Sequence, residues 1–213
     1  MLGDLWSFQG RYRTLHLTWI AFFLTFVVWF NLAPLATTVK ADLGLTVGQI
    51  RTVAICNVAL TIPARVLIGM LLDKFGPRIT YSSILVFSAI PCLLFASAQD
   101  FNQLVVARLL LSIVGAGFVI GIRMVAEWFP PKEIGLAEGI YGGWGNFGSA
   151  FSALTMVALA GFLSFSGGFE LPTGAVLNWR GAIALTGIVS AVYGLFYFFN
   201  VTDTPPRQDV STP

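Results

Sequence analysis

Two arginines stand inside long apolar runs, Arg65 in TIPARVLIGML and Arg108 in VVARLLLSIVG, and neither run holds an acidic residue. An arginine at the centre of a spanning helix costs roughly 2.5–3.5 kcal/mol on insertion scales. It therefore calls for a counter-charge, a water-filled cavity or an anionic ligand. The ten carboxylates are Asp4, Asp42, Asp73, Asp100, Glu127, Glu133, Glu138, Glu170, Asp203 and Asp209, and every one falls in a loop, a tail or at a segment end. The field inside the apolar runs is positive, which favours a bound anion. A third polar group, Asn146, lies in GGWGNFG at 142–148. Its amide can donate to an anion's oxygens, and glycines beside it expose backbone and leave room for a small ligand. The chemistry on offer is coordination, with no covalent step. The single His16 sits at the edge of an apolar run, and Cys56 and Cys92 read as small buried hydrophobes. No metal cluster, nucleophile–base pair or cofactor site is expected.

The elements that must hold these groups are membrane helices. The 213 residues are 56% hydrophobic and 10% charged, against roughly 25% charged in soluble domains. A net charge of +2 is too small to imply nucleic acid as a partner. Six apolar segments, at about 15–39, 47–72, 79–98, 102–127, 134–163 and 181–200, are each near or above the roughly 20 residues a crossing needs. Their length and all-round apolarity exclude barrel strands. The first is read as a retained helix, since no short apolar region precedes a small-residue cleavage site. Residues 1–14 form an N-terminal segment and 201–213 a polar, proline-rich tail or linker without fixed structure. Arg11, Arg13, Lys74, Arg78, Arg123, Lys132 and Arg207 fall on one side of the six spans, and Lys40, Arg51 and Arg180 on the other. That asymmetry makes both termini cytoplasmic in a multi-pass protein of the cell membrane.

Depth links the polar groups. Arg65 precedes Asp73 by eight residues, about 12 Å at roughly 1.5 Å per residue, close to the midplane of a bilayer whose hydrocarbon half-thickness is about 15 Å. Asn146 follows Glu138 by eight residues and Phe118 precedes Glu127 by nine, so the three share one layer. Snorkelling from there is strained for Arg65, whereas Arg123 can reach the cytoplasmic edge and Arg108 can brace the outer end. Gly139 and Gly143 form a small-xxx-small pair for close helix packing. Packing is the expectation for Gly139 and Gly142, with Trp144 and Phe147 as packing or interhelical contacts.

The motifs resemble a known family. GMLLDKFGPR at 69–78, with Asp73, Gly76 and Arg78, is similar to the loop between spans two and three of the major facilitator superfamily. ARLLLSIVGAG at 107–117 is similar to its fourth span. GIYGGWGNFG at 139–148 resembles the fifth-span nitrate signature of the nitrate/nitrite porters, and TIPARVLIGMLLDKFG at 61–76 their second span. FVVWF at 26–30 and GAGFVIG at 115–121 place Phe26 and Phe118 as site-lining aromatics. The resemblance implies an all-α membrane protein, six helices forming the N-terminal half of a major facilitator fold. It further implies transport of nitrate and/or nitrite by alternating access. Arg65 would bind the planar anion, Phe26 and Phe118 would bound its faces, and Asn146 would donate to an oxygen. Gly143 and Gly145 would give clearance, with Asp73, Gly76 and Arg78 as a conformational latch. Porters of this family have twelve spans, so the resemblance also implies a second six-helix half as partner. The alternatives are a porter of another small anion, or a non-transporting membrane fragment or assembly partner.

Overall fold

Apolar runs in lipid find no water for their backbone N–H and C=O groups, so they satisfy them internally as helices. The computed structural model describes residues 7–204. Its helices are α1 Gly10–Phe30, α2 Ala36–Asp42, α3 Val47–Ala59, α4 Thr61–Phe87, α5 Ala89–Ser97, α6 Phe101–Ser112, α7 Gly117–Trp128, α8 Pro131–Phe162 and α9 Trp179–Asn200. Between α8 and α9 runs a two-stranded antiparallel hairpin, β1 Phe169–Glu170 with β2 Val176–Leu177.

Proline places three of the breaks. Its ring clashes with the carbonyl four residues back and it donates no hydrogen bond. Accordingly α1 ends at Phe30 before Pro34, α3 at Ala59 before Pro63, and α4 at Phe87 before Pro91. Thr46 and Gln49 form a reciprocal capping box that starts α3. The Asp100 and Asn178 side chains accept backbone N–H bonds that start α6 and α9.

Five helical stretches are long and apolar enough to cross a membrane: Gly10–Asp42, Val47–Ser97, Phe101–Trp128, Pro131–Ser166 and Trp179–Asn200. The sequence reading counted six. The difference lies in DKFGPR, which was expected as a loop. Only Gly76 leaves helical geometry there, at φ 78° and ψ 167°, so the second and third expected spans join into one run of 51 residues.

α1 packs against α7, α8 and α9; α9 also flanks α4 and α5; α3 lies on α6 and α4 on α7. Arg13 donates to Asn200 at 2.9 Å, so the start of α1 and the end of α9 share one end of the bundle. At the other end Trp179 donates to Asp42 at 2.8 Å, and Arg180 donates to the carbonyls of Ala96 and Ala98. Among the five long apolar stretches Pro131–Ser166 is the least covered: 22% of its 18-residue apolar window is buried, against 56% for Phe101–Trp128.

At the termini end the Asp203 carboxylate fills the space a side chain at Gly76 would need and accepts the Arg78 backbone N–H at 2.7 Å. Trp128 donates to the Thr202 and Asp203 carbonyls, and Val201 is buried. The stretch 201–204, counted in the sequence as the start of the tail, is thus seated against α4 and α7. Arg207 and the rest of that tail, like residues 1–6, lie outside the described residues. Gly76→Ala is expected to cost roughly 1–3 kcal/mol, because a positive φ is strained for an L side chain and the Cβ would lie 2.8 Å from an Asp203 oxygen. A fall in the melting temperature of the detergent-solubilised protein, relative to an exposed Gly→Ala control at Gly139, measures it.

Candidate functional site

The two arginines inside the apolar runs have opposite surroundings. Arg108 is completely buried on α6. One terminal nitrogen donates to Asn57 on α3 at 3.1 Å and the other to Asn31, just past α1, at 2.9 Å. Its guanidinium lies 4.6 Å from the centroid of the Phe95 ring. Asn31 donates onward to Thr186 on α9 at 3.0 Å, and Asn57 exchanges bonds with the backbone and indole of Trp29. This neutral cage ties four helices together and leaves only Arg108 Nε without a partner. It performs the bracing expected of Arg108, with amides in place of a carboxylate. Asn31 and Asn57 were visible in the sequence as polar residues in apolar runs, but only the fold shows what they serve.

Arg65 is exposed on α4 and forms no hydrogen bond or ion pair with the described residues. The buried stripe of its helix is Thr61, Ala64, Ile68 and Leu72, and Arg65 sits at the edge of that stripe, about 40° around the helix from Thr61 and about 60° from Ile68. Its charge and its donors are open. Asn146 is exposed too; one amide N–H turns back to the Gly142 carbonyl at 2.7 Å, which leaves the second N–H and the oxygen free. No hydrogen bond joins Arg65 to Asn146 among the described residues.

The buried stripe of α8 is Ala137, Tyr141, Gly145, Gly148, Ser152, Met156 and Ala160, spaced so that each residue lies above the last on one face. This divides the glycines differently from the sequence reading. Gly145 gives no clearance to a ligand: the Phe22 ring of α1 occupies the place of its side chain, and at Gly148 the Phe23 carbonyl does the same. Gly139, Gly142 and Gly143 have nothing near the positions of their missing side chains. Gly135, Gly139, Gly143, Ile140, Trp144 and Phe147 line an open groove of about 660 Å³. The physical reason is the helical period: Gly145 and Gly143 are two residues apart and so lie on opposite faces. Trp144 and Phe147 do meet α1, at 5.5 Å from Trp19 and 6.3 Å from Phe23.

Phe26 and Phe118, both half-buried, meet through a third ring. Phe22 lies edge-on to Phe26 at 4.4 Å, 5.3 Å from Phe118, and stacked on Tyr141 at 4.9 Å. Phe22 was missed in the sequence; its position one turn before Phe26 was the available signal.

Two of the residues expected to form a latch, Asp73 and Arg78, find partners on two other elements. Asp73 pairs with Arg123 of α7 at 3.5 Å, and Arg123 also donates to Glu127 at 2.5 Å. Arg78 lies 4.3 Å from the Phe198 ring centroid. Arg123 is half-exposed, so this pair is worth little by itself.

The sequence from Thr18 to Pro213 matches the family model of the Major Facilitator Superfamily. The chain belongs to that superfamily. Among facilitator relatives, the nitrate/nitrite transporter NrtP of Picosynechococcus sp. is 61% identical over 227 aligned residues, covering all of this chain and 42% of that protein. The nitrate/nitrite transporter NrtP of Nostoc punctiforme is 61% identical over 213 residues, covering all of this chain and 41% of it. The chain therefore spans about two fifths of the length of these relatives. A solved bacterial homologue of the human lysosomal transporter Spinster, inward-facing and occupied, superposes with a TM-score of 0.75 at 20% identity, over 93% of this chain and 45% of that one. At that identity the likeness concerns the facilitator fold alone. Gly145→Ala is expected to destabilise the protein by about 1–3 kcal/mol through overpacking against Phe22, and Gly143→Ala to leave the melting temperature unchanged; thermal scanning of the two variants checks the division.

Proposed function

We propose that this chain is the N-terminal half of a nitrate and/or nitrite porter of the facilitator superfamily. The observation that carries the reading is Arg65, a cation inside an apolar run that the described residues leave unpaired. The 61% identity to two relatives named as nitrate/nitrite transporters supports the choice of anion. A planar guanidinium donates two parallel N–H bonds to paired oxygens of a flat anion. Low dielectric strengthens that contact where water is excluded. Phe26 and Phe118 would flank the anion, and Asn146 would offer its free N–H. Gly143, which is open, would give clearance, while Gly145 would shape the site by admitting Phe22. A second half would supply the facing wall, and rocking of the halves would alternate access. No bond is made or broken, so the activity is transport and not catalysis.

Length supports a reading of six crossings. A run of 51 residues would extend about 77 Å at 1.5 Å per residue, more than twice the roughly 30 Å of hydrocarbon. Gly76 divides it, with Asp73, Lys74 and Arg78 beside the break. Residues 15–200 would then form one six-helix bundle, with 1–14 before it and 201–213 leading on. Arg11, Arg13, Lys74, Arg78, Arg123 and Lys132 cluster at the termini end, against Lys40, Arg51 and Arg180 at the hairpin end. That bias supports a cytoplasmic termini end. There Asp73–Arg123 and the Gly76 bend would act as a latch on one state.

The test is uptake of labelled nitrate and nitrite by the chain assembled with a second half, and by the chain alone, with competing anions as specificity controls. Arg65→Lys keeps the charge and loses the fork, so uptake is expected to fall at least about tenfold, as loss of a charge-assisted bond predicts. Near-normal uptake at equal expression overturns the role. Asn146→Ala is expected to raise KM roughly three- to tenfold, the loss of one hydrogen bond, and unchanged kinetics would remove Asn146 from the site.

A further inference from the structure

Tyr141 is fully buried, and its hydroxyl is used in a way that reaches the proposed anion site. It donates to the Phe118 carbonyl at 3.0 Å and lies 3.2 Å from the Tyr81 hydroxyl of α4. A phenol has one proton. Because a carbonyl can only accept, the Tyr141 proton goes to Phe118, and Tyr81 must donate to Tyr141. The bond is thus directional, from α4 through α8 to the first turn of α7.

The ring is fixed as firmly as the hydroxyl. It occupies the place of a side chain at Gly121 on α7, one turn beyond Phe118. It stacks on Phe22 at 4.9 Å and 25°, and lies nearly parallel to Phe118 at 6.2 Å and 18°. Phe22 in turn fills the place of a side chain at Gly145, one turn beyond Tyr141. Two rings thus enter two glycine gaps in sequence: α8 into α7, then α1 into α8. Both contacts meet at Phe118 and Phe22.

We propose that Tyr141 is a positioning residue for anion binding: its hydroxyl holds the start of α7, and with it Phe118, at the depth the site requires. This rests on the porter reading for its substrate, but the placement of Phe118 can be read without transport. The interaction is buried away from water, so losing it removes the side-chain hydrogen bond to the Phe118 carbonyl.

The experiment uses the assembled porter in membrane vesicles. In a Cys56→Ser, Cys92→Ala background, Phe118→Cys is labelled with a methanethiosulfonate reagent, with Tyr141 intact and with Tyr141→Phe. Separately, nitrate KM and Vmax are measured for Tyr141→Phe and Tyr81→Phe with Phe118 intact. Labelling is expected to quicken several-fold in Tyr141→Phe. Its KM should rise about fivefold, the effect of roughly 1 kcal/mol, with Vmax held. Tyr81→Phe, which keeps the Tyr141–Phe118 bond, should leave KM within about twofold. A loss of Vmax or of melting temperature without a KM change would mark a purely structural residue and overturn the proposal. Unchanged labelling overturns it as well. A parent that takes up neither nitrate nor nitrite, yet shows faster labelling in Tyr141→Phe, overturns the substrate reading and supports the placement of Phe118.

Discussion

A guanidinium inside hydrocarbon must find its hydrogen bonds in the protein, because lipid offers none and the ion cannot shed its charge. The two arginines of this chain answer that constraint in opposite ways. Arg108 is enclosed by Asn31, Asn57 and the face of Phe95, and the same amides reach on to Trp29 and Thr186. A neutral cage spreads the charge over several dipoles and makes one residue a tie between α1, α3, α6 and α9. Arg65 receives no such cage. A fold that builds three partners for one cation and, among the described residues, none for the other leaves the second available to a ligand or to a second half.

The aromatic and glycine residues do the mechanical part. In the proposed porter the half would rock as a unit, and a unit needs helices locked to one another without polar cost. Phe22 in the gap at Gly145 and Tyr141 in the gap at Gly121 lock α1, α8 and α7. The fit depends on shape, since rings entering a glycine gap regain dispersion contacts on nearly every side. The open groove along Gly139 and Gly143 belongs to the other face of α8. One helix thus carries a closed face toward its own half and a thinned face away from it.

The termini end is organised by a different force. Gly76 bends the chain with a positive φ, and Asp203 accepts the first N–H beyond the bend. A carboxylate at the start of a helix also meets the positive end of its dipole. Asp73 and Arg123 add an exposed pair across α4 and α7. Ties of this kind, near water, exchange readily, whereas the buried amide cage around Arg108 does not.

Much was legible in the sequence because hydropathy is a one-dimensional signal. Run lengths, the proline breaks, the unpaired arginines and the motif at 139–148 all read directly, and they pointed to the facilitator architecture. What stayed hidden was direction and partnership. Gly143 and Gly145 look equivalent in GGWGNFG, but two residues on a helix turn about 200°, so one opens outward and the other closes on Phe22. Arg65 and Arg108 look equivalent in composition, yet only packing brings Asn31 and Asn57 from other helices to one of them. Asp203 looked like tail and became a cap. The sequence by itself determined which segments are apolar and what charge they carry, because solvation acts on each segment separately. The tertiary structure alone decided which polar groups are satisfied and which stay open, because that depends on residues distant in the chain meeting at hydrogen-bond distance.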